Sequence, residues 1–379
     1  MKTLKILFIC GSLEPGRDGV GDYVRRLSLE VLRQGHQVSL AAINDRHITS
    51  TIKSAIEIDN CTIPIFRVPS VIKNVEKITL IQEWVTIQDP DWLSLQFVPF
   101  SFEKRGLFFG LAKSLKTLGK HRKFHIMFHE LWVGMDEESG NKELLWGIAQ
   151  RYLIKNLLNT LKPKIVHTHV EIYKKHLEKL NSTVELLPLF SNIPVCNPNA
   201  IADKLTHSNE DVSDIDLIIF GGVHSGAPIA QLALEAAAYS KRHSTQIRLV
   251  VIGKGGTEQT NAIKVWEDAG LKAINLGEQS EQKVSELLTD AQYGIFTTPI
   301  GLVGKSGSVA AMREHGLHLL CVSRRWNPRG IDVMNNLFNI QEYKEGCLDS
   351  FFSTAPDLTW LPTLTKITEQ FILNLNSTE

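Results

Sequence analysis

The sequence carries no excess of either charge, because 41 lysine and arginine residues balance 41 aspartate and glutamate residues. Nucleic-acid-binding domains usually carry a basic surplus, so this balance disfavours a nucleic-acid partner. The five cysteines are scattered, without a C-x-x-C pair. Their spacing disfavours a zinc site or a disulfide framework and predicts unpaired thiols in a reducing cytoplasm. Internal repeats and low-complexity tracts are also absent from the sequence.

Long hydrophobic runs are missing as well. The apolar residues of the N-terminal segment MKTLKILFICGS form a short run that is followed at once by glycine and charged residues. This pattern predicts a first β-strand and disfavours a signal peptide or a membrane-spanning helix. With 379 residues, of which 43% are hydrophobic, the chain is typical of a soluble cytoplasmic protein with two domains.

The segment from Tyr293 to Val322 has the pattern of a strand, a glycine-rich turn, a helix and a second strand. We expect the helix to begin at Ser306 or Ser308 and to end at Gly316. The N–H groups at such a helix start, its dipole and a lysine cation suit a phosphate or diphosphate. The residues predicted to bind a ligand in this turn are Gly304, Ser306, Gly307 and Ser308, and Lys305 is a candidate catalytic residue.

Two other interpretations of this turn are open. The Gly304-Lys305-Ser306 triplet resembles the end of a P-loop, but Pro299 stands where the first glycine of G-x-x-x-x-G-K-[ST] is required, which disfavours that motif. The turn is otherwise a plain strand-to-helix connection, which is common in α/β proteins.

The first 42 residues predict a βαβ unit, the usual start of a doubly wound sheet. It consists of a strand at 5–10, a glycine-rich loop at 11–22, a helix at 23–33 and a strand at 37–42. We expect Gly19 and Gly21 to let a ligand approach the backbone, while Arg17 and Asp18 reach into a cleft. A flexible surface loop is the alternative.

Histidines stand near the ends of two further predicted strands. Phe124–Glu130 ends in His129 and Glu130, at the strand end where α/β folds bind ligands. His129 is therefore also a candidate catalytic residue, with a structural histidine as the alternative. In the strand at 164–169, His167 and His169 share one side because alternate strand residues do. Recognisable metal-ligand spacing is missing, so no metal is expected.

A polar, proline-marked stretch from Pro194 to Asp214 predicts a linker. After it, the sequence again predicts strands, turns and helices in alternation, with turns at 221–228, 253–256 and 301–308. In the first two of these turns, the predicted ligand-binding residues are Gly222, His224 and Lys254. The predicted domains are residues 1–200, residues 201–358 and a C-terminal helix within 359–379. The fold class is therefore α/β, with two Rossmann-like doubly wound domains facing across a cleft that holds a diphosphate ligand.

A basic cluster lies between Lys113 and Lys123, with the sequence KSLKTLGKHRK. It predicts peripheral contact with an anionic membrane surface, at the inner face of the membrane, if a substrate of the protein is a lipid. A solvated helix face is the alternative.

Several segments together resemble the GT-B glycosyltransferases, and within them glycosyltransferase family 4. They occur in family order across most of the chain: KILFICGSLEPGRDGVGDYVRRLSLEVLRQGHQVSL, DWLSLQFVP, FHELW, KPKIVHTH, LPLFSNIP, IIFGGVH, LVVIGKG and GKSGSVAAMREHGL. The resemblance implies an acceptor-binding N-terminal domain and a C-terminal domain that binds a nucleotide-diphosphate sugar. It also implies that the helix at 363–375 packs back on the first domain.

The resemblance further implies transfer of a sugar to a saccharide, lipid-linked or small-molecule acceptor. A retaining hexosyltransferase is expected, with the nucleotide sugar as co-substrate and neither cofactor nor metal. The glycine loop at 19–21 would contact donor phosphate or acceptor, and His129 would approach the reacting sugar. Because retention without a covalent intermediate needs no protein nucleophile, the paired carboxylates of a hydrolase are not required.

The sequence also departs from this family. The carboxylates of its E-x7-E signature are replaced by Val303 and Ala311, and the usual Arg and Lys clamp after the first strand of the second domain is absent. We expect Lys305, Ser306 and Ser308 to supply charge and hydrogen bonds to the diphosphate. The alternatives are an inactive nucleotide-sugar-binding or scaffold protein, a sugar-nucleotide epimerase and, less favoured, a nicotinamide-dependent oxidoreductase.

Overall fold

The chain forms two compact units in a computed structural model that describes residues 2–58, 61–119, 121–201, 214–331, 339–354 and 363–377. The first unit comprises the described residues within 1–188, 327–333 and 363–379, and the second those within 189–326 and 334–362. Most of the linker predicted at 194–214 lies outside the described residues.

The first unit is built on an eight-stranded sheet with the order β3-β4-β2-β1-β5-β6-β7-β8. All neighbouring strands are parallel except β3 and β4. The strands are β1 (Lys5–Cys10), β2 (Gln37–Asp45), β3 (Ile52–Ile58), β4 (Cys61–Pro69), β5 (Trp92–Phe97), β6 (Lys123–Phe128), β7 (Ile165–Thr168) and β8 (Glu185–Leu186). Central strands such as β1 and β5 are buried on both faces, which explains their continuous apolar runs.

Helices connect the strands of this sheet. They are α1 (Gly19–Arg33), α2 (Asn74–Gln88), α3 (Pro99–Phe102), α4 (Leu111–Leu118), α5 (Asn141–Leu161) and α6 (Glu171–Glu178). Helix-linked parallel strands make this unit a doubly wound α/β domain, as the sequence predicts.

Helix α1 begins at Gly19, four residues earlier than predicted, so the expected glycine loop over 19–22 is wrong. The Asp18 side chain caps the helix, because its Oδ1 accepts hydrogen bonds from the backbone N–H of Val20 at 2.9 Å and of Gly21 at 3.2 Å. Gly21 packs against the loop after β1. A Cβ added there would lie 2.8 Å from the carbonyl oxygen of Ser12.

The second unit contains a six-stranded, all-parallel sheet with the order β11-β10-β9-β12-β13-β14. Its strands are β9 (Asp214–Phe220), β10 (Gln246–Ile252), β11 (Lys272–Gly277), β12 (Tyr293–Phe296), β13 (His318–Cys321) and β14 (Gln341–Glu342). Its helices are α7 (Ile229–His243), α8 (Thr257–Asp268), α9 (Glu281–Asp290), α10 (Gly307–Glu314) and α11 (Leu348–Ser353). Each face of the sheet carries a cluster of buried apolar side chains, so this unit is also doubly wound.

The connection between β12 and α10 is more ordered than an open glycine turn. A 3-10 helix spans Ile300–Lys305, held by hydrogen bonds from Leu302 N to Pro299 O at 2.8 Å and from Ser306 N to Val303 O at 3.0 Å. The side chain of Ser306 then caps α10. The predicted helix start is therefore close to the observed one, and most of the predicted glycine-rich turn is a 3-10 helix.

The division between the units falls after residue 188 rather than at 200. Residues just beyond it are bonded within the second unit, since Ser191 N donates to Glu314 Oε1 at 2.5 Å and Cys196 N to Ser285 Oγ at 3.0 Å. The predicted second domain is also interrupted. Asn327 belongs to the first unit, where its backbone N–H faces Asp136 Oδ1 at 3.4 Å.

The last helix, α12 (Leu364–Asn376), lies in the first unit. Its Phe371 ring lies 5.9 Å from that of Phe8 in β1, and Gln34 Nε2 donates to Thr365 O at 3.2 Å. The C-terminal segment therefore completes the core of the first unit.

Four cysteines have described side-chain surroundings, and all four are unpaired thiols, as predicted: Cys10, Cys196, Cys321 and Cys347. Within the described part of the chain, no helix has both the length and the apolar character needed to cross a membrane.

Candidate active site

Three turns of the second unit meet at the carboxyl ends of β9, β10 and β12, which are neighbours in the sheet. Gly221, after β9, has a positive φ of 91° and faces Ser308 closely enough that an added Cβ would lie 3.3 Å from the serine Cβ. Gly253, after β10, has a φ of 124°, and a Cβ there would lie 3.4 Å from Gly221 Cα. The turns predicted at 221–228, 253–256 and 301–308 therefore converge.

His224 is fixed within this convergence by Thr297, the first residue after β12. The threonine Oγ1 accepts a hydrogen bond from His224 N at 2.8 Å and lies 2.9 Å from His224 Nδ1. When the threonine hydroxyl donates to Nδ1, the neutral ring carries its proton on Nε2. His224 can then donate that proton to a ligand oxygen.

The pKa of His224 is lowered, first by burial and second by the positive charge of Lys305. The two residues are thus electrostatically coupled although they belong to different turns. A ligand anion would relieve the repulsion between them. This part of the site therefore favours a negative charge.

The start of α10 adds backbone donors to this site. Helix N-termini leave their first N–H groups without intrahelical acceptors, and these groups attract anions. The hydroxyls of Ser306 and Ser308 lie 3.2 Å apart at this end. Cβ atoms added to Gly307 or Gly222 would meet no atom within 4 Å, so space is open in front of both glycines.

Two further residues of this unit, Gly304 and Lys254, are predicted from the sequence to bind the ligand. Gly304 is a half-buried residue of the 3-10 helix, while Lys254 is exposed in the turn after β10. Val303 and Ala311, which replace the E-x7-E carboxylates, are buried in the core at 5% and 0% exposure. Carboxylates at these two positions would therefore be buried in this structure.

In the first unit, His129 follows directly after β6 and is 7% exposed. Its Nε2 lies 3.0 Å from Gln96 Oε1, and its Nδ1 lies 3.0 Å from His169 Nε2. The ring of Tyr23, from α1, packs edge-on against it with centroids 4.9 Å apart. Both ring nitrogens of His129 are therefore engaged within the protein.

The hydrogen bonds of His129 with Gln96 and His169 are part of a continuous chain of hydrogen bonds, here named the histidine ladder. Its members are Ser94, Gln96, His125, His129, His167, His169 and Asn374. Along the first half, Asn374 Nδ2 lies 2.9 Å from His167 Nε2, and His167 Nδ1 lies 3.0 Å from His125 Nε2. His125 Nδ1 lies 2.8 Å from Ser94 Oγ.

The second half runs from Ser94 to the carbonyl of Leu187. Gln96 Nε2 lies 2.8 Å from Ser94 Oγ, and beyond His129 the ladder ends where His169 Nδ1 lies 2.9 Å from Leu187 O. The prediction that His167 and His169 share one side is confirmed, because both join this ladder. Sequence reasoning missed His125, Ser94 and Gln96, although their alternation in β5 and β6 places each group on one face.

Burial keeps two histidines of the ladder, His125 and His167, uncharged. It lowers the pKa of His167 to about 3, with the neighbouring His169 as a smaller cause. Burial also holds the pKa of His125 well below its usual range, and His167 and His129 lower it further. Among the described residues, no group of three or more His, Cys, Asp or Glu side chains is arranged to hold a metal ion.

The glycine segment of the first unit offers less to a ligand than the sequence predicts. Gly19 faces open space, with no atom within 4 Å of an added Cβ, whereas the corresponding space at Gly21 is filled by Ser12. Burial raises the pKa of Asp18 despite its two hydrogen bonds from the backbone. Those bonds cap α1 and give Asp18 a structural role, while its reach into a cleft stays a prediction.

No protein-family model and no curated protein matches the chain. Solved structures do. HepE from Anabaena, determined with UDP and glucose, has a TM-score of 0.60 and 13% identity, covering 99% of this chain and 100% of HepE. A glycosyltransferase from Rickettsia africae has a TM-score of 0.57 and 13% identity, covering 100% of this chain and 94% of its own.

A trehalose 6-phosphate synthase from Burkholderia multivorans is also similar in structure. Its TM-score is 0.60 at 8% identity, and the match covers 99% of each chain. At such identities the similarity concerns the fold. The chain therefore has the GT-B fold, with two parallel-sheet domains, as predicted.

Proposed function

We propose that the protein is a glycosyltransferase that moves a sugar from a nucleotide-diphosphate sugar to a saccharide, lipid-linked or small-molecule acceptor. The observation that carries this proposal is the convergence of three turns at the strand ends of the second unit. There Lys305, His224 and the start of α10 form a site suited to a diphosphate. The fold and the UDP bound by HepE support the same conclusion.

In this proposal the second unit binds the donor. Glycosyl transfer breaks the bond between the sugar carbon and the diphosphate, so negative charge grows on the departing oxygen. Lys305, the first N–H groups of α10 and the hydroxyls of Ser306 and Ser308 would stabilise that charge, with His224 donating from Nε2. Lys254 and Gly304 would line the same region, and no metal or cofactor is invoked.

The first unit would bind the acceptor and contribute His129 beside the reacting sugar. We propose a retaining hexosyltransfer, in which the acceptor hydroxyl forms the new bond and gives its proton to the departing phosphate oxygen. No protein nucleophile is needed for that route. A cytoplasmic location, with the basic residues between Lys113 and Lys123 touching an anionic membrane surface, would suit a lipid-linked acceptor.

Binding and turnover can be tested separately. Thermal shifts with UDP, GDP and ADP should show stabilisation by at least one of them, because a ligand that binds only the folded state raises its apparent stability. Incubation with the matching nucleotide sugar and a panel of acceptors should then release nucleoside diphosphate. No stabilisation by any nucleoside diphosphate, together with no release, would contradict the proposal.

A non-catalytic binder is the second candidate, and the observation in its favour is that the apolar residues Val303 and Ala311 stand where the E-x7-E carboxylates are expected. It would bind a nucleotide sugar without releasing nucleoside diphosphate. An epimerase would convert one nucleotide sugar into another without an acceptor, which chromatography of the reaction mixture would reveal.

A further inference from the structure

A cavity lies in the first unit, apart from the donor site proposed in the second unit. Its volume is about 320 Å³, and it is lined by the loop that follows β6, by α5, by the end of α6 and by residues 329–330. The lining residues of this loop begin at Trp132, three residues after His129. The cavity therefore borders the strand ends at which α/β folds bind ligands.

All the charged side chains in its lining are cations, namely Arg151, Lys179 and Arg329. They come from three separate parts of the chain, in α5, just after α6, and in the segment that begins at Asn327. Folding therefore gathers three positive charges around one cavity. Like charges repel, so this arrangement is unfavourable unless another group compensates it.

Within the described part of the chain, the contacts found for these three cations are with an aromatic ring and backbone carbonyl oxygens, which are uncharged. The guanidinium of Arg151 lies 5.8 Å from the centroid of the Trp132 ring, and Lys179 Nζ donates to the carbonyl oxygen of Gly330. Arg329 Nη2 donates to the carbonyl oxygens of Glu137 at 2.7 Å and Asp136 at 3.3 Å. Asp136, whose backbone carbonyl binds Arg329, has a carboxylate that is buried outside the lining and accepts from backbone N–H groups.

His176 provides a second, independent observation. It lines the cavity, is 8% exposed, and packs edge-on against Trp132 with ring centroids 5.2 Å apart. Its Nε2 atom is buried and has no hydrogen-bond partner within the described residues. Burial, followed by the charges of Lys179 and Arg151, lowers the pKa of His176 to about 4, so the ring is neutral at pH 7.

A buried polar atom without a partner is costly, and a bound oxygen atom would satisfy it. The apolar side chains of Leu144 and Ile148 complete the lining. The cavity therefore combines a cationic rim, one unsatisfied polar nitrogen and apolar walls. This combination matches a ligand with an anionic group attached to a less polar body.

We propose that this cavity binds the anionic group, a phosphate or a carboxylate, of the acceptor. The inference rests on the proposed function and narrows the acceptor to a charged one. Trp132 and the three cations would then select and position the acceptor. They are positioning residues rather than participants in the transfer of the sugar.

The structure offers a matched pair of variants for the test. Arg151 and Lys155 are exposed cations one turn apart on α5, but only Arg151 lines the cavity. Each is replaced by glutamine in the full-length chain. Binding of inorganic phosphate, glucose 6-phosphate and glucuronate is measured by calorimetry, with glucose as the uncharged control.

Anionic probes would also bind the donor site. The nucleoside diphosphate that stabilises the protein is therefore present at saturation in one series and absent in a second. We expect phosphate-bearing probes, glucuronate or both to bind the wild type while glucose does not. Arg151→Gln should weaken that binding about tenfold or more, since a hydrogen bond to a charged group is lost, and Lys155→Gln should leave it unchanged. Which of the two anions binds identifies the acceptor group.

Two results would overturn the proposal. One is no binding of any anionic probe up to about 10 mM, an affinity too weak to be useful. The other is an equal effect of the two variants, which would indicate general electrostatic attraction or an adventitious ion only. Failure of UDP, GDP and ADP alike to bind would instead contradict the proposed function. It leaves the anion measurement intact, because one series is run without a nucleotide.

Discussion

The Nε2 atom of His129 lies 3.0 Å from the Oε1 atom of Gln96, and this contact restricts the protons that the ladder can hold. A carbonyl oxygen only accepts, so His129 Nε2 must carry a proton. His169 Nδ1 must carry one as well, because it faces Leu187 O. A third proton lies between the two rings, so the pair would hold three protons and a positive charge.

A reversed Gln96 amide removes that charge. Its NH₂ group would then donate to His129, and its oxygen would accept the hydroxyl proton of Ser94. In every hydrogen bond of the ladder, the donor could then be the group on the Asn374 side and the acceptor the group on the Leu187 side. All four histidines would be neutral in this arrangement. Burial favours the neutral arrangement, because an isolated charge is costly inside a protein.

We therefore expect neutral imidazoles throughout the ladder at pH 7, and Gln96→Glu should change this. A carboxylate only accepts, so it would draw a proton onto the His129–His169 pair. Side-chain ¹⁵N NMR shifts of the histidines distinguish imidazole from imidazolium directly. An imidazolium in the wild type, or none in the variant, would contradict this assignment. Gln96→Met is the matched control, because it removes the amide without adding charge.

The two glycines at the start of α1 should respond differently to alanine. Gly21→Ala places a Cβ 2.8 Å from Ser12 O, whereas Gly19→Ala meets no atom within 4 Å. We expect Gly21→Ala to lower the free energy of unfolding by about 1–3 kcal/mol through overpacking. Gly19→Ala should be neutral or stabilising by up to about 1 kcal/mol, because alanine favours a helix.

Urea unfolding of both variants measures these differences. Equal effects would mean that α1 does not pack against Ser12 as observed. If Gly19→Ala leaves stability intact yet weakens UDP or acceptor binding, the open space at Gly19 is part of a ligand site.

The sequence predicts the two doubly wound domains well because parallel strands buried on both faces leave continuous apolar runs, as in β1 and β10. The sequence misplaces the start of α1, because an aspartate in a glycine-rich segment suits a ligand cleft as well as a helix cap. The same residue type serves both purposes, and only the backbone geometry distinguishes them.

Side-chain partners across strands are harder to predict. The His125–His167 contact depends on the register of β6 against β7, which pairs His125 with Ile165 and Met127 with His167. Short apolar runs do not specify that register. The cationic cavity was missed for a similar reason, since Arg151, Lys179 and Arg329 are far apart in sequence and share no motif.

The ladder should also make stability depend on pH. The pKa of His167 is about 3 in the folded protein, against an ordinary value of 6.5. Below about pH 6.5 the unfolded chain binds a proton that the folded chain does not, so acid favours unfolding. The free energy of unfolding should fall by about 1.4 kcal/mol for each pH unit below that value from His167 alone, and His125 should add to the slope.

Urea unfolding at a series of pH values from about 7.5 down to about 4.5 measures this slope. His167→Asn should reduce it, because asparagine can still form hydrogen bonds but does not titrate. A slope that is unchanged in the variant would mean that His167 is not buried and neutral in the folded state.

Lys305 and Ser306 are neighbours whose substitution should separate function from stability. Ser306 Oγ accepts from Val309 N at 3.4 Å and caps α10. Ser306→Ala should therefore lower the free energy of unfolding by about 1 kcal/mol. Lys305→Ala should leave the melting temperature nearly unchanged but weaken nucleoside diphosphate binding about tenfold or more, because a cation facing the diphosphate is lost.

Removing Lys305 should also raise the pKa of His224, since the lysine charge is one cause of its lowering. NMR titration of His224 in the Lys305→Ala variant tests that shift without any ligand present. If melting temperature and binding fall together in Lys305→Ala, the lysine is structural. If His224 titrates as in the wild type, the two residues are not coupled, and the anion site proposed for the second unit loses its main electrostatic support.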